Sequence, residues 1–256
     1  MRSHSGDEIG SCENFLGSFG LSAVMIAFQG LTKSYPGKPP LLDGVDLRIN
    51  RGGFYFLTGA NGAGKTTVFK LMTLNELPNR GEIFFDGKPI SRLRHRQRAF
   101  HRRRVGMVFQ DQDHWLLTRE SIEENVALPL RISGIKGRKL RKRTLEQLER
   151  VGLAHRRTEQ VNGLSGGEKQ LVSIARALVL EPPLFLADEP TGNLDQAVAF
   201  KVMEVLKAIH QAGCTVVVAT HDLNLIRAYS ARTYLIKNRQ VNEVRLLERP
   251  KTEAAG

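Results

Sequence analysis

Phe54-Tyr55-Phe56-Leu57-Thr58-Gly59-Ala60-Asn61-Gly62-Ala63-Gly64-Lys65-Thr66-Thr67 is the stretch on which the fold turns. Phe54 to Leu57 is a short apolar run of strand character that ends at Gly59, and Val68 to Leu74 continues as a helix. Between them, Gly59 to Thr66 fits G-x-x-x-x-G-K-[ST]. Glycines let such a loop fold so that successive backbone N–H groups point inward at phosphate oxygens. The start of the following helix adds its partial positive charge. In that arrangement Lys65 reaches the β- and γ-phosphates, Thr66 offers its hydroxyl to Mg2+, and Thr67 follows in the first helical turn. A chance Gly-rich turn needs neither the strand before it nor the helix after it.

Two further segments carry chemistry. Leu184-Phe185-Leu186-Ala187 is an apolar strand from which Asp188 and Glu189 emerge. In open α/β sheets ligands bind at that edge. There Asp188 is expected to hold Mg2+ through water and Glu189 to polarise an attacking water. Leu164-Ser165-Gly166-Gly167-Glu168 opens a helix. Ser165 with Glu168 three residues on reads as a capping box. A capping box leaves the two glycines unexplained, since they weaken a helix, whereas a helix start with free N–H groups is also a phosphate site.

Outward from these segments the pattern alternates. Leu42–Ile49 has the period of a half-buried strand, and Gly81–Gly87 reads as a strand closed by an Asp-Gly turn. Val105–Phe109, Pro183–Ala187, Cys214–Ala219 and Arg232–Lys237 read as further strands. Helices are expected at Gly134–Val151, with Leu145, Leu148 and Val151 on one face, at Ser165–Leu180 and at Ala197–Gln211. Strands alternating with helices imply an α/β P-loop fold with a mainly parallel sheet core, an added antiparallel β portion and a helical subdomain at about 111–164. The expected organisation is a flexible extension over 1–24 (or a misplaced start, with Met25 as first residue), one domain over 25–240, and a tail over 241–256.

Composition narrows the class. The chain has 256 residues, enough for one large domain, with 41% hydrophobic and 25% charged residues. Cys12 and Cys214 are the two cysteines and form no C-x-x-C pair, which argues against a zinc module or a disulfide framework. Asn14–Thr32 is the longest uncharged run; glycines and serines break it, so neither a membrane span nor a signal peptide is expected. A reducing cytoplasm is the expected setting. Lys and Arg number 38 against 26 acidic residues, a formal charge of +12. Ser91–Arg104 holds seven arginines and Lys136–Arg143 six basic residues, with no acid in either, so the rest of the chain is near neutral.

Taken in order and at these intervals, the P-loop, Leu164–Glu168 and Leu184–Glu189 resemble the ATP-binding-cassette (ABC) ATPases from about Met25 to Arg239. The resemblance implies that Tyr35, in Thr32-Lys33-Ser34-Tyr35-Pro36, stacks on adenine. It makes Gln110 the glutamine that senses Mg2+ and links the site to a partner. Asp195, closing Gly192-Asn193-Leu194-Asp195, becomes part of the loop after the acidic pair, and His221 the residue that holds the γ-phosphate and water. It further implies a head-to-tail dimer around two ATPs, in which Ser165, Gly166 and Gly167 of one copy contact the γ-phosphate bound to Lys65 and Thr66 of the other. Lys169-Gln170-Leu171 departs from the Gln-Gln-Arg common in the family, so contacts made by that arginine elsewhere do not transfer.

Gln110 and Ser165 are 55 positions apart, too close for the coiled coil of repair and condensin cassettes. One ATPase unit without zinc modules excludes the excision-repair and translation types. What remains is a stand-alone subunit at the cytoplasmic face of the inner membrane, working with a separate integral membrane protein. Phe109–Leu117, Arg119, Glu124–Leu130 and Leu186–Asp195 are similar to the cell-division branch, and Asp111 favours it over the lipoprotein-release and macrolide-export branches. The basic stretches leave two surface readings. An anionic lipid surface suits their place on either side of Gln110. Nucleic acid is disfavoured, because only Phe100 interleaves with the arginines.

Overall fold

The computed structural model describes residues 23–110, 114–229 and 231–245. A four-stranded antiparallel sheet comes first, in the order β2-β1-β4-β5. Its strands are β1 (Val24–Lys33), β2 (Leu42–Asn50), β4 (Arg80–Phe85) and β5 (Lys88–Pro89). Asp86 and Gly87, at φ 56° and 71°, join β4 to β5 as the left-handed pair of a tight hairpin. β2 alternates buried and exposed residues as its sequence pattern predicts, because only one of its faces meets the core.

The second sheet has six strands in the order β10-β9-β3-β8-β7-β6. β3 (Phe54–Gly59), β6 (Val105–Val108), β7 (Leu184–Asp188), β8 (Thr215–Ala219) and β9 (Arg232–Lys237) run parallel. β10 (Gln240–Val244) pairs antiparallel with β9 and so crosses the boundary expected at residue 240. Of the extension expected over 1–24, residues 1–22 lie outside the described part, and Val24 already belongs to β1.

The parallel strands read as unbroken apolar runs because both of their faces are buried. Tyr55, Leu57, Leu184, Leu186, Val217 and Ala219 pack on the side shared with the antiparallel sheet. Phe56, Phe185, Ala187, Val216 and Val218 pack on the other, against the helices. Period two is therefore present in which core each residue enters, and absent from hydrophobicity. Phe56 is fully buried in the central strand. Phe56→Ala is expected to cost about 3–5 kcal/mol in urea-unfolding stability, as large-to-small changes of a buried aromatic do.

Seven α-helices surround this sheet among the described residues. They are α1 (Lys65–Met72), α2 (His95–Arg102), α3 (Ile122–Ile132), α4 (Gly137–Arg150), α5 (Gly166–Leu178), α6 (Gln196–Gln211) and α7 (Leu223–Tyr229). α3, α4 and α5 pack together as the helical portion. α4 corrects the expected face: Leu148 and Val151 are buried, but Leu145 is 40% exposed. Thr144 and Gln147 take the inner positions instead, so the buried stripe lies about one residue round the helix from the apolar reading. No helix among the described residues is long and apolar enough to cross a membrane.

Candidate functional site

The strand register sets the site. Asp188 pairs with Ala219, Leu57 with Ala219, and Val108 with Ala187. The loops after β3, β6, β7 and β8 therefore leave one edge of the sheet, the carboxyl edge where α/β folds bind ligands. The P-loop, Gln110, Glu189 and His221 all stand on those loops.

Gly64 ends the P-loop at φ 110° and is the N-cap of α1. No side chain caps that helix, and no acid lies in its first turn. Its leading N–H groups are thus left to a ligand, and an anion there is favoured by the helix dipole. Ala60, Asn61 and Gly62 form the exposed crest of the loop, and the Ala63 N–H donates to the Ala60 carbonyl at 3.0 Å.

Lys65 is buried and leans back over the loop. Its Nζ donates to the Gly59 carbonyl at 3.0 Å and lies 3.4 Å from Glu189 Oε1. Glu189 Oε1 also meets His221 Nδ1 at 2.9 Å. Glu189 holds the left-handed conformation, φ 47°, with its N–H on the Ala219 carbonyl at 2.9 Å. Such a backbone costs a non-glycine residue on the order of 1–3 kcal/mol and persists where its surroundings enforce it. Here it turns the carboxylate from the strand end toward Lys65 and His221.

Beside this cluster, Thr66 Oγ1 donates to Asp188 Oδ2 at 2.6 Å. Burial pushes the Asp188 carboxyl above its ordinary pKa, against the Thr66 hydrogen bond, with the charge of Glu189 acting in the same sense as burial. A hydroxyl and a carboxylate at this separation are hard oxygen donors of the kind Mg2+ takes, and a cation would relieve the desolvated carboxylate. The donor set therefore fits the metal expected from the sequence.

The Gln110 side chain, just past the end of β6, lies beside the loop that follows Glu189. A Cβ built on Gly192 would stand 3.6 Å from Gln110 Nε2 and 3.7 Å from Glu189 Cβ. Asp111, with residues 112 and 113, lies outside the described residues. Trp115 stacks on Phe109 at 4.3 Å between ring centroids. Further on, buried Asn125 accepts from the Leu117 N–H at 2.8 Å and donates to the Leu117 carbonyl at 3.0 Å, fixing the return into α3.

Tyr35 sits at the P-loop helix through its hydroxyl, which is 3.1 Å from Thr67 Oγ1 and donates to Glu76 Oε2 at 2.7 Å. Lys33 pairs with Glu76 at 3.0 Å and also places its Nζ 5.1 Å from the Tyr35 ring centroid. The Glu76 anchor has no sequence signal; it follows from the turn after α1.

Ser165, Gly166 and Gly167 start α5 as a closed capping box. The Ser165 N–H and Oγ both donate to Glu168 Oε2 at 2.9 Å, and Ser165 Oγ accepts from the Glu168 N–H at 3.4 Å. Arg156 pairs with Glu168, a partner that nothing in the sequence marks. The Ser165 N–H, with Arg156 beside it, holds the Glu168 carboxyl below the usual carboxylate range. The two glycines differ. A Cβ at Gly167 would come within 2.1 Å of Val198 Cγ1, so close packing of α6 demands glycine there. At Gly166 it would meet only Leu194 Cδ2, at an ordinary 3.8 Å, so nothing inside the chain requires that glycine. Asp195 caps α6 by accepting from the Val198 N–H at 2.9 Å, which ties its loop to Gly167 through Val198. The side-chain bonds of Ser165 run to Glu168 and none to the P-loop cluster among the described residues.

Comparison with known proteins agrees with this geometry. The ABC transporter family model matches residues 42–192. The cell division ATP-binding protein FtsE of Escherichia coli strain K12 is 44% identical over 208 residues, 81% of this chain and 93% of that protein. FtsE of Bacillus subtilis strain 168 is 38% identical over 214 residues, 84% of this chain and 93% of that protein. A dimeric ATP-binding cassette solved in a post-hydrolysis state with ADP and Pi superposes with a TM-score of 0.77 at 35% identity, covering 88% of this chain and 100% of that one. With the P-loop, the Asp188–Glu189 pair and His221 on one sheet edge, the chain is an ATPase that belongs to the ABC transporter family.

Proposed function

We propose that this chain is the FtsE-like ATPase of a cell-division complex, which closes as a head-to-tail dimer around two ATPs and moves an integral membrane partner resembling FtsX. The observation that carries the ATPase half is the chain of contacts Thr66–Asp188, Lys65–Glu189 and Glu189–His221 on one edge of the parallel sheet. The P-loop N–H groups and Lys65 would bind the β- and γ-phosphates, with Tyr35 beside the base. Thr66 and Asp188, with Gln110 as a further ligand, would hold Mg2+, which neutralises phosphate charge. Turning Lys65 to the phosphates takes its ammonium away from Glu189. The carboxylate is then left to accept a proton from water, with His221 fixing its orientation. Catalysis of this kind is positioning plus electrostatic stabilisation of an in-line displacement.

Support for the dimer comes from Gly166, whose missing side chain the fold itself does not need, and from the dimeric cassette that superposes on this chain. A partner's triphosphate against the start of α5 would use that space. Gly166→Ala is expected to leave unfolding stability within about 0.5 kcal/mol. It should nevertheless abolish most ATP-dependent dimerisation, read by sedimentation. Gly167→Ala, by contrast, should destabilise the monomer through Val198.

Co-purification from detergent extracts tests the partner. Recovery of a four-span membrane protein with a large extracytoplasmic loop supports the FtsX-like reading. Recovery of a substrate permease in its place would move the chain to a transport branch.

A further inference from the structure

Ser91–Arg104 is unused by the ATPase site, and the fold gives it a definite shape. From Gly87 to Gln110 the chain holds no acidic residue. Within it, α2 is pinned by its inner face. His101 is 4% exposed, its Nε2 lies 2.8 Å from the Met72 carbonyl, and its ring meets Phe85 edge-on at 4.8 Å. Arg98 Nε donates to the Leu93 carbonyl at 2.7 Å, and Arg104 turns inward to Asp86 at 3.0 Å. The outer face carries Arg96, Phe100 and, at the C-cap, Arg103, whose backbone is still helical; spaced four and three residues apart, they align along the helix. All three are exposed, Phe100 by 65%, and neither arginine has a carboxylate partner among the described residues.

A rigid helix with one aromatic between two guanidinium groups has the chemistry of a membrane interface. The ring enters the headgroup–acyl boundary while the cations stay among anionic headgroups. Phosphates of a nucleic acid would answer the arginines too, but base stacking draws on aromatic faces in series, and Phe100 is the lone aromatic of this stripe. We infer that the Arg96–Phe100–Arg103 face of α2 is a contact site for anionic phospholipid, seating the ATPase on the bilayer beside its membrane partner. The inference deepens the membrane-face reading above but is tested without the partner or ATP.

The experiment is flotation of the purified full chain with vesicles of phosphatidylcholine alone or mixed with phosphatidylglycerol, at low and moderate salt. The chain should float with the mixed vesicles, less so as salt rises, and not with the neutral ones. Each arginine near an anionic surface is worth about a five-fold change in partitioning, so Arg96→Ala with Arg103→Ala should lower binding roughly 25-fold. Phe100→Ser should lower it several-fold, and turnover in solution and circular dichroism should not change in either variant. Failure of the chain to float with anionic vesicles overturns the inference, as does equal binding to neutral vesicles or undiminished binding by the double variant. Duplex DNA binding that disappears in the double variant while vesicle binding persists would also overturn it, assigning the stripe to nucleic acid. Solution ATPase activity decides the catalytic reading separately, so either can fail alone.

Discussion

Glu189→Gln is expected to slow ATP turnover by about 10²–10⁴-fold, the range of a removed general base, with nucleotide affinity preserved. Glutamine keeps the length and shape of the side chain but cannot take a proton from water. The position leaves little room for compensation. Glu189 is buried, its backbone holds φ 47°, and its Oε1 already meets both Lys65 and His221. Asp188, the neighbouring carboxyl, is occupied by Thr66 and is raised in pKa by burial. Turnover by the phosphate-release rate and ATP affinity by equilibrium binding separate the two effects. Near-normal turnover would remove Glu189 from the role of base.

Lys65→Ala is expected to fail one step earlier. A hydrogen bond to a charged group contributes about 1.5–3 kcal/mol, so ATP should bind roughly ten- to a hundred-fold more weakly. A second consequence follows from the 3.4 Å approach of Lys65 to Glu189. Without the ammonium, a buried carboxylate loses a paired cation, and the variant should lose some stability in urea unfolding as well. Lys65→Arg keeps the charge and should recover stability more than ATP affinity, because the P-loop is shaped for a compact ammonium. Unchanged ATP affinity in Lys65→Ala would contradict the phosphate-binding role of this loop.

The parts of the fold that the sequence announces are those where local pattern and tertiary environment agree. β3, β7 and β8 are buried on both faces, so apolar runs such as Phe54–Leu57 and Leu184–Ala187 mark them without ambiguity. The capping box of Ser165 and Glu168 is local and appears as read. α2 is hidden because Ser91–Arg104, with its seven arginines, has no apolar period; the register of the helix rests on one buried histidine, His101. α4 misled because its inner face is partly polar, with Thr144 and Gln147 buried and Leu145 outside. The placing of Gln110, Asp188, Glu189 and His221 on one edge follows from strand order, which motif spacing anticipates. The contacts that tune them do not: Lys65 on Glu189, Glu76 on Tyr35 and Arg156 on Glu168 each join residues whose meeting depends on loops without sequence periodicity. Gly166 and Gly167 look equivalent in sequence, and only Val198 separates a glycine needed for packing from one left open.

That difference leads to the central claim, that each chain carries two halves of different ATP sites: a P-loop half on the sheet edge and a Ser165–Gly167 half at the start of α5. The most direct test is sedimentation of the Glu189→Gln chain with and without Mg-ATP, since slow hydrolysis should hold the closed form. The expected result is a monomer without nucleotide and, with Mg-ATP, a dimer retaining two ATPs that does not form when Gly166→Ala is added. A chain that binds ATP at saturation and remains a monomer would contradict the claim.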